Sequence, residues 1–136
     1  MQISSQEWLG LAIMALCCAF AASRGGRLER RAAAFIAAAW ILSILLDQDG
    51  HYGVQWGILT IDILLLVYLL HEAAFGKRLW PLFAAAAHIF VVLTHAAFLL
   101  DGRIQHWGFF TAYYIWSYAV LAALVGGAVW RPKTQA

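Results

Sequence analysis

Five stretches of this chain are apolar almost without interruption, at residues 8–23, 32–46, 52–70, 81–100 and 107–130. Short polar segments part them, among them RGGRLERR, DQDGH and DGRIQH. A helix needs about 17–25 residues to cross a hydrocarbon core of about 30 Å, so each stretch is a predicted membrane span. The first two reach that length only if flanking residues extend them. Strict alternation of apolar and polar positions is absent and the runs are rich in Ala and Leu, which favours helix over strand. Pro81 opens the fourth stretch, where a missing N–H costs nothing, and the Asp and Gly residues of DQDGH and DGRIQH suit turns. The pattern predicts an all-α, polytopic membrane bundle of about five transmembrane helices with short loops, one domain over residues 1–136.

Composition narrows the solvent. Hydrophobic residues make up 64% of the chain and charged residues 12%, against about a quarter charged in ordinary soluble domains. Too little polar surface remains to coat a water-soluble globule. Ala19-Phe20-Ala21 has the look of a signal-cleavage site, but the residues before it carry no positive charge and include Glu7, so the first stretch is expected to remain as a span. The adjacent Cys17 and Cys18 have no CxxC spacing and read as small packing residues.

Charge then sets direction. Eight of the nine Lys and Arg residues fall on one side of a five-span weave: Arg24, Arg27, Arg30 and Arg31 in the first loop, Lys77 and Arg78 in the third, Arg131 and Lys133 in the tail. Only Arg103 falls on the other. Positive loops stay inside, so the expected topology is N-terminus outside and C-terminus inside a bacterial-type inner membrane. Glu7, Asp47, Asp49 and Asp101 gather on the outer side. Five of the seven tryptophans, Trp8, Trp56, Trp80, Trp107 and Trp130, stand at or near predicted span ends, at headgroup level. Trp40 and Trp116 stand mid-span and fill gaps between helices. Small residues recur four apart at Ala15/Ala19, Ala34/Ala38 and Ala119/Ala123/Gly127, and the last stripe is expected to be a tight helix contact.

Within this apolar frame a few groups stand out. Asp62 falls well inside the third span, where a charged carboxylate costs about 2.5–3.5 kcal/mol unless partnered or wetted. His88 and His95 share one face of the fourth span, about 10.5 Å apart at roughly 1.5 Å per residue, with Asp62 between their levels. Thr111, Tyr114 and Tyr118 share a face of the fifth span with Ser117 beside it, Trp40, Ser43 and Asp47 share one in the second, and Gln55 lies outward of Asp62. If these faces converge they form a polar core suited to proton relay; the plainer expectation is hydrogen-bonded glue between helices. At the outer surface His51, His106, Asp47, Asp49 and Asp101 offer imidazole and carboxylate to a divalent ion, though in no recognised metal spacing. A b-type haem would need two imidazoles at one depth on facing helices, which one chain does not readily supply and a symmetric dimer would. No cofactor is therefore predicted, with haem and a divalent metal left open. His71-Glu72 lacks the second His of HExxH.

Nucleophile constellations, phosphate-binding glycine loops and nucleic-acid motifs are absent. The Arg24–Arg31 cluster reads as a topology signal that also attracts anionic headgroups. The expected partners are the lipid bilayer and other membrane subunits or further copies of this chain, without nucleic acid. The leading functional expectation is a non-enzymatic accessory, assembly or scaffold subunit of a membrane complex. The alternative is a small proton-linked transporter or channel using Asp62, His88 and His95; a redox or metal-binding protein comes third.

Overall fold

A computed structural model describes residues 4–47 and 54–131. The chain folds into five helices, α1 (Ser5–Arg24), α2 (Arg27–Leu46), α3 (Trp56–Phe75), α4 (Trp80–Leu100) and α5 (His106–Val129), with no strand among the described residues. Helices α1, α3, α4 and α5 are each long and apolar enough to cross a membrane. Helix α2 is as long as α1, but its first turns carry Arg27, Glu29, Arg30 and Arg31. Large apolar side chains cover the outside, with Leu16, Phe75 and Leu100 at 72%, 79% and 89% exposure. Such a surface suits lipid and not water, and the fold is a helical bundle of multi-pass membrane type.

Each helix packs on the next in sequence, α5 closes the ring on α1, and α2 also touches α5. The termini of the five helices thus form two ends. One carries Glu7, Asp47, Asp101 and His106 and is called here the acidic end. The other carries Arg24, Arg27, Arg30, Arg31, Lys77, Arg78 and Arg131 and is the basic end. Between the two, Ile36, Leu69, Leu121 and Leu124 are almost fully buried, with Ala21, Ala32 and Ala84 letting the backbones close around them.

Two boundaries differ from the sequence expectation, for traceable reasons. Helix α2 starts at Arg27 inside the basic segment, so only Gly25 and Gly26 separate it from α1. The Glu29 carboxylate accepts the Gly26 N–H at 2.8 Å and caps the new helix. A Cβ at Gly25 would sit 2.3 Å from the Glu29 Cβ and 2.4 Å from the Ala21 carbonyl oxygen, so this tight link requires glycine. Helix α3 starts later than expected and runs on through His71 and Glu72, because the nearly buried Glu72 finds the exposed Arg31 of α2 as its ion-pair partner. The first helix opens with a reciprocal cap: Ser4 N–H donates to the Glu7 carboxylate at 2.6 Å, and Glu7 N–H donates to the Ser4 hydroxyl at 3.3 Å.

The small-residue spacings divide. Ala15, Ala19, Ala34 and Ala38 face outward, and the α1–α2 contact is built from Met14, Cys18 and Ala21 among the buried residues, with Ala32, Ala33 and Ile36. Along α5, Ala119 and Ala123 pack against the core, and a Cβ at Gly127 would lie 2.3 Å from Trp80 Cδ1.

Candidate functional site: a buried carboxylate between two histidines

Asp62 is 3% exposed, as are His88 and His95. Because α3 begins at Trp56, Asp62 lies only about 9 Å from its start at roughly 1.5 Å per residue, nearer the acidic end than its place in the apolar stretch implied. Helix direction explains how one residue engages both histidines. Side chains lean toward the N-terminus of their own helix and carbonyls point to its C-terminus. The Asp62 carboxylate therefore leans toward the acidic end, where His95 Nε2 meets Oδ2 at 2.9 Å. Its carbonyl oxygen points the other way, where His88 Nε2 meets it at 2.9 Å. His88 Nε2 also stands 3.7 Å from Oδ1.

These contacts fix part of the proton inventory. A carbonyl oxygen only accepts, so His88 carries a hydrogen on Nε2 and donates it. Between His95 Nε2 and Asp62 Oδ2 a single hydrogen sits on the nitrogen or on the oxygen. With His95 neutral and donating, the pair bears one negative charge. One more proton makes it neutral overall. No Lys or Arg among the described residues forms an ion pair with Asp62.

Around this centre, and open toward the acidic end, lies a cavity of about 90 Å³, room for several waters. Asp62, His88 and His95 form part of its lining, Ser43 and Ser117 add hydroxyls, and Glu7, Asp47 and His106 line it where the helices end. Among the described lining residues there is no Lys or Arg. A run of rings forms one wall: Phe98 and Phe109 lie 5.3 Å apart, Phe109 and Tyr113 6.1 Å, Tyr113 and Tyr114 6.0 Å. His95 stands edge-on to Phe109 and Tyr113 at 5.2 and 5.6 Å.

The polar faces read from sequence are placed unevenly. Tyr114 lines the cavity and packs with Trp40. Tyr118 stacks on Tyr114 and lies against Trp40, outside the cavity lining. Gln55 donates to Asp47 at 2.5 Å at the mouth. Thr111 is exposed and returns its hydroxyl hydrogen to the Trp107 carbonyl at 2.7 Å. The hydroxyl nearest Asp62 is that of Tyr113, 3.5 Å from Oδ1, with Ser43 beside it. Tyr113 lies one residue off the face that Thr111, Tyr114 and Tyr118 mark in the sequence, and Thr111 turns outward, so the polar spacing points beside the true inner face.

The outer metal grouping is not assembled among the described residues. Asp49 and His51 lie outside them. Asp47 is held by Gln55, and Asp101 bonds the Arg103 side chain and backbone at 3.0 Å each, which holds its carboxyl below the usual carboxylate range. His106 packs edge-on to Phe98 at 5.6 Å. No group of three or more His, Cys, Asp or Glu among the described residues is arranged to hold a metal ion. His71 is exposed beside Phe75, half a helical turn round from Asp62, and is not placed to pair with His88 across a haem.

The basic end holds a second polar cluster, built from residues whose sequence pattern shows only loop charge. Glu29, 2% exposed, accepts from Trp80 Nε1 at 3.0 Å and stands 3.5 Å from Arg78. Arg78 donates to the Gly127 carbonyl at 2.5 Å and so ties the end of α5. Arg31 pairs with Glu72 and lies beside the Tyr68 hydroxyl. Arg30 caps α1 through the Ala22 carbonyl at 2.9 Å. Arg24 and Arg27 are exposed. Protein-family models, curated proteins and solved structures give no match to this chain.

Proposed function

We propose that this protein is a small proton-linked transporter of a bacterial-type inner membrane, with its N-terminus outside and all five helices crossing. Asp62 and His95 form its proton-binding site. The observation that carries this reading is the position of the buried carboxylate in the wall of a cavity that leads to one end of the bundle. Glue between helices needs no such cavity; a proton site needs water to reach it. Toward the basic end the path is stopped by Leu69, Ile36, Leu121 and Leu124. Access from one side only fits alternating access, in which the site opens to the two faces in turn, rather than an open channel.

The test needs no knowledge of the solute. Proteoliposomes adsorbed on a solid-supported membrane are given a rapid pH step, and the charge displaced as protons enter the protein is recorded. The wild type is expected to give a transient current at least tenfold above that of Asp62→Asn. Equal currents from the two proteins would overturn the proposal and return the chain to the scaffold or accessory class.

A further inference from the structure

We infer that the solute exchanged for the proton is a small organic cation, seated in the cavity between carboxylate charge and aromatic faces. The inference rests on the reading of Asp62 and His95 as a proton site. Charge is the first ground. The described lining carries Glu7, Asp47 and Asp62 and no Lys or Arg, so an anion would face three carboxylates and no fixed cation. The aromatic wall is the second. Phe98, Phe109, Tyr113 and Tyr114 follow one another at 5.3–6.1 Å, with Trp40 on α2 beside Tyr114. Ring faces attract a cation and also cover its alkyl groups. A bare calcium ion would ask for about six to eight oxygen ligands, and no described group is arranged to hold a metal. Size is the third ground. At about 90 Å³ the cavity is well below the roughly 300 Å³ and upward of sites for drug-sized ligands, so the cation is a simple alkylammonium and not a multi-ring compound.

Coupling follows from the charge of the centre. The groups facing Asp62 are His88 and His95 from α4, Tyr113 from α5 and, behind Tyr113, Ser43 from α2; farther out stand Asp47 of α2, His106 of α5 and Glu7 of α1. With the histidines neutral, the Asp62–His95 pair lacks one positive charge in a low-dielectric setting. A proton supplies it, and so does an organic cation, but the two together would overshoot. One cation entering from the acidic end therefore expels one proton by the same route. Charge balances, and no bond other than the O–H or N–H of the pair is broken.

The test uses the full chain in mild detergent, with tetramethylammonium chloride as probe and sodium chloride at equal concentration as control. Calorimetry should show saturable binding of the probe whose affinity falls up to tenfold per unit of pH on the acid side. A weakly buffered sample with a pH indicator should release one proton per cation bound. Asp62→Asn should lose both responses. Tyr114→Leu, at the wall, should weaken binding about fivefold while keeping the ratio at one. Absence of saturable binding in a protein that still gives the pH-step current would overturn this inference and leave the proton site standing. Binding without proton release, or binding unaffected by pH, would also overturn it. Loss of the wild-type current itself would remove the underlying reading.

Discussion

Asp62 meets His95 with its side chain and His88 with its backbone, and the two histidines therefore differ in kind. His88 adds a second donor to a carbonyl oxygen in the middle of a helix, an oxygen with two lone pairs. Removing it in His88→Leu leaves the carboxylate with His95, and is expected to lower stability by about 1 kcal/mol, the usual range for such bonds between membrane helices, while the pH-step current persists. His95→Leu strips the carboxylate of its 2.9 Å partner and should cut that current several-fold. Unfolding in denaturing detergent, run beside the current measurement, checks both; equal losses of current would contradict the division. The proximity of these three residues was legible in the sequence, because depth can be counted along antiparallel helices. That both histidines engage one residue was not, since it depends on which way a carbonyl points. Tyr113 escaped for another reason: on a helix with aromatic residues at 113, 114 and 118, spacing alone gives two faces and no way to choose the inner one.

At the level of helices, α4 and α5 meet tightly at Gly127, where Trp80 lies over the backbone and Arg78 bonds the carbonyl. An alanine there would place its Cβ 2.3 Å from the indole. Trp80 would have to leave, and with it the bond to Glu29. Gly127→Ala is expected to cost about 2–3 kcal/mol, at the upper part of the range for overpacked interiors. Gly108→Ala, near the start of the same helix with nothing within 4 Å of the new methyl, should be neutral or stabilising by up to about 1 kcal/mol. Thermal melts of the two variants in one detergent would compare them directly. The five apolar stretches gave the helices themselves, because a run of that length in lipid has few other forms. Their ends were less legible. Arg27 and Glu72 read as loop residues, but the Glu29 cap on Gly26 starts α2 inside the basic segment and the Arg31–Glu72 pair lies within the last turns of α3.

For the molecule as a whole, the segregation of basic residues to one end and of most acidic ones to the other is the feature that sets orientation. Green fluorescent protein fused after Ala136 is expected to fluoresce in cells, since it folds on the inner side only; a dark but stably produced fusion would contradict the topology. The same segregation has a consequence in time. Ribosomes deliver this chain from its N-terminus, and α2, with four charges in its first turns, emerges before the inter-helix partners of two of them, Glu29 and Arg31. Arg78 and Trp80, which hold Glu29, and Glu72, which holds Arg31, are all made later. The link of Gly25 and Gly26 leaves α2 no freedom to wait apart from α1. The first hairpin is therefore complete before these contacts can form, and a nascent chain halted before residue 72 would hold Glu29 and Arg31 without Glu72, Arg78 and Trp80.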